Sequence, residues 1–250
     1  MTSRCGDRAL MRFESRVTSQ NGEDGVIAEI LRRIGGQIRS WFVEFGAATG
    51  EEGNCVLLAD QGWSGLFIEP EAEAFAMLEA KFAGSPAVVT RRAAVTADNV
   101  EELMADCRVP PDFDLLSVDI DGNDYWVWEA ISSFLPRVVV IEYNGNLPVD
   151  RRLVMPRDDR YVWDRTDYVG ASLGALRALG DRKGYELVHT DTTGVNAFFV
   201  RRDEAVDVPT GPDVPLHRAN YFGAGITLQR DPLDRPFYDL EAEALVALGT

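Results

Sequence analysis

The chain has 250 residues, 46% of them hydrophobic and 26% charged, which suits one globular α/β domain with additional segments. Its formal net charge of −16 at pH 7 repels phosphate backbones and anionic lipids, so we expect neither nucleic acid nor membranes as partners. Cys5, Cys55 and Cys107 form no metal-type pair or disulfide framework, and no segment is apolar enough for a signal peptide or membrane span, so we expect a cytoplasmic protein.

Strands and helices alternate along the first half of the chain. The predicted strands are short and apolar and cover 41–45, 65–68, 87–90, 113–118 and 137–141. The predicted helices have apolar residues at helical spacing and cover 22–34, 54–60, 71–82, 98–106 and 125–134. Because strands and helices that alternate at this interval form right-handed βαβ units, the sequence predicts a parallel sheet.

The alternation stops after the fifth predicted strand. Residues 145–168 are polar and irregular, and a predicted helix at 172–182 follows. Predicted strands at 185–189 and 196–200 then form a hairpin, so one of them must run antiparallel. The tail from residue 204 has no clear periodicity. The predicted organisation is a helical cap over 1–39, a sheet domain over 40–203 with an insert at 145–170, and a C-terminal extension over 204–250.

The loop after the first strand, GAATG, is rich in small residues. Gly46 and Gly50 let the backbone approach a ligand closely, and Ala47 and Ala48 keep the turn open. Its G-x-x-x-G spacing differs from the G-x-G-x-x-G of dinucleotide-binding loops. Glu44 also stands where a dinucleotide-binding strand usually has an apolar residue. The loop indicates either a ligand-binding loop of another kind or a simple tight turn.

Carboxylates follow three other predicted strands. Glu69 ends the second strand, where a carboxylate can accept both hydroxyls of an adenosine ribose. Asp119 ends the fourth strand, with Asp121 close behind, and Glu142 ends the fifth, with Asn144 two residues on. Strands four and five are adjacent in this topology, so Asp119 and Glu142 should face each other. Such a cluster needs a cation, either a divalent metal with oxygen ligands or the sulfonium and amino group of a cofactor.

Five segments together resemble the FkbM-like class I S-adenosylmethionine (SAM)-dependent methyltransferases. They occur in the family's order and are SQNGEDGVI (19–27), FVEFGAATGEEGN (42–54), GWSGLFIEPEAEAF (62–75), DFDLLSVDIDGND (112–124) and VVVIEYN (138–144). The resemblance, which covers residues 19 to about 200, implies an α/β fold with a Rossmann-like, seven-stranded sheet and helices on both faces. The terminal hairpin fits the antiparallel last strand of that sheet.

The resemblance also implies SAM as cofactor and carries its binding positions onto this chain. Glu44, Gly46, Ala47 and Gly50 would surround the methionine part, Glu69 would hold the ribose, and Ala93 or Ala94 would flank the adenine. Asp119 would lie near the sulfonium and amino group, Asn54 would complete the set at the next helix, and Gln20 would close over the cofactor. On this interpretation, a β-branched side chain at Gly46 fills the methionine slot and leaves the fold intact.

The chain is also similar to metal-dependent O-methyltransferases, in which an Asp after strand four and an acidic pair after strand five hold magnesium. This similarity gives Asp119, Glu142 and Asn144 as candidate metal ligands and Mg²⁺ as a second cofactor. Two departures from that pattern argue against metal dependence: Tyr143 stands where a second ligand often lies, and no lysine follows Asp119 to act as base.

Other polar and aromatic residues leave alternatives open. His189 ends the strand before the hairpin and is either a catalytic base or a hydrogen-bonded structural histidine; Asp121 is the other candidate base. The insert's four arginines either clamp an anionic substrate or pair with neighbouring acids, and Trp126 and Trp128 either lie in the core or wall the substrate pocket. The arginines are Arg151, Arg152, Arg157 and Arg160.

These patterns predict methyl transfer from SAM to a hydroxyl oxygen of a small-molecule acceptor, of the natural-product type. One alternative keeps the cofactor but changes the reaction, for instance to cyclisation of its aminobutyl chain. A nicotinamide oxidoreductase is a second alternative, opposed by the missing G-x-G-x-x-G, and a cofactor-sensing module is a third. The sequence is compatible with a monomer or a homo-oligomer.

Overall fold

Ten strands, six α-helices and one short 3-10 helix (Met11–Phe13) make up the structure, a computed structural model that describes residues 9–211, 214 and 229–248. The strands are β1 (Trp41–Phe45), β2 (Ser64–Glu69), β3 (Val88–Arg92), β4 (Asp112–Val118), β5 (Leu135–Glu142), β6 (Leu153–Val154), β7 (Tyr185–Thr190), β8 (Asn196–Arg201), β9 (Phe237–Asp239) and β10 (Ala244–Val246). The helices are α1 (Glu23–Arg33), α2 (Val56–Asp60), α3 (Ala72–Phe82), α4 (Val100–Asp106), α5 (Asp124–Ala130) and α6 (Leu173–Lys183).

Seven of these strands form the central sheet in the order β3-β2-β1-β4-β5-β8-β7. Strands β1 to β5 pair in parallel, whereas β8 is antiparallel to both β5 and β7. This order and these directions confirm the predicted fold class, a Rossmann-like class I methyltransferase sheet with an antiparallel last strand. Because β1, β2, β4 and β5 run in one direction, their carboxyl ends lie at one edge of the sheet, where ligands bind in such folds.

Helices cover both faces of the sheet because its strands are apolar on both sides. On one face, Val43 belongs to a buried cluster with Trp128 of α5 and Leu176 of α6. On the other, Phe42 belongs to a second cluster with Ile27 of α1. Successive strand residues point to opposite faces, so two neighbouring apolar residues in β1 supply both cores.

A second, three-stranded antiparallel sheet joins the insert to the C-terminal segment, in the order β10-β9-β6. Leu153 pairs with Asp239, and Val154 with Tyr238. The sequence predicts no strand in 145–168 or in the tail, and this prediction is wrong. Strands of two or three residues are too short to leave a periodic pattern, and the pairing of β6 with β9 joins residues more than 80 positions apart.

Helix α5 ends at Ala130, four residues before the predicted end. The backbone N–H groups of Ser132 and Ser133 donate to Glu101 Oε1 (N···O 2.6 and 2.5 Å), which draws the chain out of the helix.

None of the described helices is both long and apolar enough to cross a membrane. Cys55 and Cys107 are free thiols, and Cys5 lies outside the described residues, as do residues 1–8 of the predicted cap and much of the predicted C-terminal extension.

Candidate functional site

A cavity of about 460 Å³ opens at the carboxyl edge of the strands. Its lining comes from the segment before α1, the ends of β1, β2, β4 and β5, the start of α3, the insert and the β7–β8 turn. The lining residues are Gln20, Gly46, Ala48, Glu69, Pro70, Ala74, Asp119, Ile120, Asp121, Glu142, Trp163, Val169 and Val195. Of the residues predicted from sequence, the structure therefore brings together Gln20, Gly46, Glu69, Asp119, Asp121 and Glu142.

Gly46 lies where the loop after β1 passes close to the end of β4. Its φ of +79° is in the left-handed region, and a Cβ added there would lie 1.7 Å from the carbonyl oxygen of Asp119. The expectation that a side chain at Gly46 would fill a ligand slot and spare the fold is therefore wrong. A side chain would first collide with the backbone of the neighbouring strand end.

Glu69 faces the cavity with its carboxylate held by two backbone groups. The N–H of Ala48 donates to Oε2 and the N–H of Glu71 donates to Oε1, each at 2.8 Å. Ala48 adopts a φ of +46°, a conformation in which its N–H reaches Glu69. Each carboxylate oxygen keeps a second lone pair, so Glu69 is fixed in place and still able to accept hydrogen bonds from a ligand.

Glu44 points away from the cavity. Its carboxylate accepts the backbone N–H groups of Asn54 (2.8 Å) and Cys55 (3.0 Å), just before α2, and so fixes the loop after β1. Burial raises the pKa of Glu44 to about 7, although these two hydrogen bonds act to lower it. The side chain of Asn54 donates to Ser117 Oγ at 3.0 Å. The structure thus does not bring Glu44 or Asn54 to the cavity.

Four more predicted cofactor residues also lie outside the lining. Ala47 and Gly50 are in the loop, and the Gly50 carbonyl accepts a hydrogen bond from Lys81. Ala93 packs against the core, and the Ala94 carbonyl accepts from the side chain of Asn99 at 2.9 Å. The apolar residues that line the cavity beside Glu69 are instead Pro70 and Ala74.

Three carboxylates cluster in the cavity at the ends of β4 and β5. Asp119, Asp121 and Glu142 each offer an oxygen, and these oxygens all lie within 4.8 Å of one another. Burial, followed by the repulsion of neighbouring carboxylates, raises the pKa of Asp119 and of Glu142 well above the ordinary range. Glu142 Oε2 is buried and has no hydrogen-bond partner among the described residues. The cluster therefore has the donor set and the unmet charge that suit a cation.

Asp124 shapes the turn that carries this cluster. Its carboxylate accepts the backbone N–H groups of Ile120 and Gly122, each at 2.9 Å. These bonds hold the turn in which Asp121 adopts a left-handed φ of +56°. Burial raises the pKa of Asp124 to about 6, against the effect of the two N–H bonds.

Asn144 is not placed as a metal ligand, which corrects the sequence prediction. Its amide N–H groups donate to the carbonyls of Asp167 (2.8 Å) and Val169 (2.9 Å), and its Oδ1 accepts the N–H of Asn146 at 3.0 Å. Both amide N–H groups and one lone pair of Oδ1 are thus used to fix the insert beside β5, and Asn144 does not line the cavity. The third carboxylate of the cluster is Asp121, which belongs to the acidic cluster predicted from sequence but not to the predicted set of metal ligands.

His189 does not reach the cavity either, so the prediction that it is a catalytic base is not supported. It is fully buried, and its Nε2 lies 3.0 Å from Glu14 Oε1. Glu14 also accepts hydrogen bonds from the backbone N–H (3.1 Å) and hydroxyl (2.6 Å) of Thr192. The pKa of Glu14 lies below its ordinary value, because these hydrogen bonds lower it more than burial raises it. The structure supports the alternative of a structural histidine, which ties the N-terminal segment to the β7–β8 hairpin.

Gln20 lies in a segment whose backbone is held by the carboxylate of Asp24. The backbone N–H groups of Val17, Thr18 and Ser19 all donate to Asp24 Oδ2, at 2.8, 2.7 and 2.7 Å. Three converging N–H groups hold this stretch over the end of the sheet, so that Gln20 becomes part of the cavity wall.

The sequence does not indicate Trp163, Val169 or Val195, which complete the lining. They lie in the insert and a hairpin turn, where no periodic pattern exists, so only the tertiary structure identifies them. Trp126 and Trp128, the tryptophans that the sequence suggests, lie elsewhere: Trp128 is fully buried in the core, and the indole N–H of Trp126 donates to the Met155 carbonyl at 2.8 Å.

Acidic side chains dominate the charge of the cavity. Glu69, Asp119, Asp121 and Glu142 line it, and no lysine, arginine or histidine does so in the part of the chain that the structure describes. None of the insert's arginines lines the cavity. Arg157 pairs with Asp159 at 2.7 Å, which agrees with the self-paired alternative, whereas Arg151 and Arg152 pair with acids of the C-terminal segment.

No protein-family model and no curated protein matches the chain. Several solved structures are similar in shape. The N-terminal domain of EvdMO1 with SAH bound is 16% identical, over 71% of this chain and 79% of that domain, with a TM-score of 0.46. The bifunctional kinase-methyltransferase WbdD is 17% identical, over 70% of this chain but only 37% of its own, with a TM-score of 0.43. A Staphylococcus aureus protein assigned as a caffeoyl-CoA O-methyltransferase is 11% identical, over 80% of this chain and 93% of its own, with a TM-score of 0.48.

Proposed function

We propose that this chain is an FkbM-like methyltransferase that transfers the methyl group of SAM to a hydroxyl oxygen of a small-molecule acceptor. The observation that carries the proposal is the charge of the cavity. Four carboxylates line the ligand-binding edge of a class I methyltransferase sheet, without a cationic side chain among the described lining residues. Such a cavity attracts a sulfonium nucleoside and repels the pyrophosphate of a nicotinamide dinucleotide.

The positions of the lining residues suit the separate parts of SAM. Glu69, held by two backbone N–H groups, is available for the ribose hydroxyls, and Pro70 and Ala74 offer an apolar surface beside it for the adenine. Asp119, whose backbone lies close to that of Gly46, suits the amino group and the sulfonium. When bound, SAM supplies an activated methyl group.

The protein's own contribution to this reaction is positioning and proton removal. Methyl transfer requires the acceptor oxygen, the methyl carbon and the sulfur to lie in line, which a closed cavity enforces by holding both molecules. Asp121 is the most exposed carboxylate of the cluster and lies close to the other two, so it is the candidate to receive the hydroxyl proton.

The carboxylate cluster also fits a divalent metal ion. Asp119, Asp121 and Glu142 would hold it, and the orphaned Oε2 of Glu142 is the observation that favours it. A bound magnesium ion would lower the pKa of an acceptor hydroxyl and orient it, which offsets the missing lysine base.

Cofactor binding and turnover test the proposal in two steps. Calorimetry should detect binding of S-adenosylhomocysteine (SAH) but not of NADH. Incubation with methyl-labelled SAM and a metabolite extract should release SAH and move the label to an acceptor. Methylthioadenosine as product would instead indicate cyclisation of the aminobutyl chain, and NADH binding without SAH binding would contradict the proposal.

A chelator tests the metal separately. We expect turnover to stop in excess EDTA and to return with Mg²⁺ or Mn²⁺, while SAH still binds. Full turnover in excess EDTA would contradict the metal and leave the carboxylates to act on the acceptor and cofactor directly.

A further inference from the structure

The side of the cavity away from Glu69, which we call the acceptor side, lies over the end of β5 and the start of β8. The backbone N–H of Tyr143, directly after Glu142, donates to the carbonyl of Val195 at 2.8 Å. The side chain of Asn144 holds the carbonyl of Val169 at 2.9 Å. These two contacts place both valines beside the carboxylate cluster and away from Glu69, which lies at the end of β2.

Trp163 adds an aromatic surface to these two valines. Its indole N–H donates to the carbonyl of Thr166 at 2.9 Å, so the polar edge of the ring is used within its own loop. The ring is partly exposed and lines the cavity. A half-buried indole whose N–H is already bonded offers a ligand an apolar surface. Trp163, Val169 and Val195 together form what we call the acceptor wall.

Four arginines of the insert and the C-terminal segment form ion pairs outside the cavity. Arg151 pairs with Asp239 at 2.7 Å, Arg152 with Glu241 at 3.3 Å, and Arg157 with Asp98 at 2.6 Å. Arg235 pairs with Asp164 at 2.6 Å and with Asp231 at 3.0 Å. Arg160 and Arg165 form no such pair, but both side chains are exposed, and no arginine lines the cavity among the described residues.

An anion in this cavity would meet like charge. It would leave water for a site with three clustered carboxylates and with Glu69 on the opposite side, inside a protein of net charge −16. One divalent ion and one sulfonium together carry less charge than four carboxylates, so they offset the negative field without reversing it. Anionic acceptors are thus disfavoured both in approach and in binding.

We infer that the acceptor is an uncharged hydroxyl compound with an apolar or flat face, methylated in its free form without a phosphate, carboxylate or coenzyme A group. This inference rests on the proposed function. In the reaction the acceptor oxygen forms a bond to the methyl carbon as the carbon–sulfur bond breaks. The sulfur keeps the electron pair, which gives SAH, and the hydroxyl proton passes to the carboxylate cluster.

The charge of the labelled product tests the inference whatever the acceptor is. The full chain is incubated with methyl-labelled SAM, Mg²⁺ and a small-molecule extract of the organism that encodes it. Unreacted SAM is removed on a cation exchanger, and the remainder is passed over an anion exchanger at pH 8. We expect the label to pass through both columns. Label retained by the anion exchanger would overturn the inference.

Matched compounds and variants sharpen the result. Two matched pairs of acceptors are compared at equal concentration: methyl glucoside with glucose 6-phosphate, and catechol with protocatechuate. In a pair that reacts, we expect at least a tenfold preference for the uncharged member. Trp163→Ala should lower transfer to the labelled neutral acceptor tenfold or more at subsaturating acceptor, whereas SAH affinity stays unchanged. Val162→Ala, at a neighbouring side chain that is 83% exposed, is the control and should change neither.

The two possible failures are distinct. If SAH does not bind, or if no extract fraction accepts the label, the proposed function is wrong. If SAH forms and the label enters an anionic product, methyl transfer stands and the inference about the acceptor is wrong. Unchanged transfer in Trp163→Ala would also contradict the acceptor wall.

Discussion

Glu69 and Glu44 are both glutamates at strand ends, but their neighbours give them different roles. Glu69 is held by backbone N–H groups on one side and faces the cavity on the other. Both oxygens of Glu44 are used by the loop before α2. The identity of a residue at a strand end therefore indicates a chemical capability, and the contacts of its carboxylate decide what it does.

We expect Glu69→Gln to weaken SAH binding about tenfold, or by roughly 1–2 kcal/mol. The variant keeps one acceptor oxygen for the backbone but loses the charge that strengthens hydrogen bonds to the ribose hydroxyls. Calorimetry with SAH measures the change, and Glu73→Gln, at an exposed position of α3, is the control. Equal affinity of a folded Glu69→Gln variant and the parent would remove Glu69 from the cofactor site.

Glu44 should make stability depend on pH. Its folded pKa of about 7 lies above the ordinary 4.5, so between these values the folded state keeps a proton that the unfolded state releases. The stability that this group contributes is complete below pH 4.5 and is lost as the pH rises through 7. Glu44→Gln cannot ionise, so the free energy of unfolding of the variant, relative to the parent, should rise by about 3 kcal/mol between pH 5 and 8. Urea unfolding of both proteins at both pH values measures this change. A difference between variant and parent that is the same at pH 5 and pH 8 would contradict it.

Gly46 tests the close approach of two strand ends. Gly46→Ala places a Cβ against the carbonyl of Asp119, so we expect a loss of several kcal/mol or failure to fold. Gly62→Ala is a matched control, because Gly62 has a φ of +86° and nothing lies within 4 Å of its added Cβ. The control should cost only about 1–2 kcal/mol, the strain of the left-handed conformation. Similar unfolding midpoints for both variants would contradict this account of Gly46.

At the scale of elements, the C-terminal segment supports the loop that carries Trp163 and Val169 of the acceptor wall. Arg235 contacts Asp164 and Asp231 and lies 4.2 Å above the ring of Tyr168. Backbone bonds add to this contact, since the N–H of Asp167 donates to the carbonyl of Gln229 at 2.8 Å. The loop over 163–169 has no regular structure of its own, so these contacts fix its position.

We expect Arg235→Ala to loosen this loop. Hydrogen exchange in residues 163–169 should become about tenfold faster, which corresponds to about 1.4 kcal/mol of local stability, whereas SAH affinity should stay near that of the parent. Arg230→Ala is the control, because the one ion pair of Arg230 among the described residues is an exposed pair with Asp234. Unaltered exchange in Arg235→Ala would show that the loop holds its position without the C-terminal segment.

At the scale of the molecule, ligand charge should control stability. Sinefungin carries an amine where SAH has its neutral sulfur, so the carboxylate cavity should bind it more tightly. Tenfold tighter binding adds about 1.4 kcal/mol to the free energy of unfolding, or about 3 °C in Tm, at equal ligand concentrations well above Kd. Thermal unfolding in EDTA measures the difference, and Asp121→Asn should reduce it. A larger shift with SAH would contradict a cavity selective for cations.

Local patterns predict much of the fold because strands and helices here follow from residues that are near in sequence. Apolar runs such as the one over 138–141 and helical spacing such as that over 22–34 are properties of one segment, and the alternation of the two fixes a parallel sheet. The site at the carboxyl edge follows from the same logic, because the ends of parallel strands converge. Glu69, Asp119, Asp121 and Glu142 are predicted from sequence in this way, whereas Gln20 is predicted only from the family resemblance.

The remainder depends on contacts between distant segments, which no local pattern records. Asn144 and His189 have side chains suited to ligation and catalysis, but their neighbours in space, Asp167 with Val169 and Glu14, use their polar atoms. Trp163 lies in a segment without periodicity, and its place at the cavity depends on a C-terminal segment about 70 residues later. Short-range periodicity sets the sheet and the residue types at its carboxyl edge, so both can be predicted from the sequence. Which of those side chains remain open to a ligand depends on how the folded chain packs, because hydrogen-bonding capacity is finite and is shared with neighbouring groups.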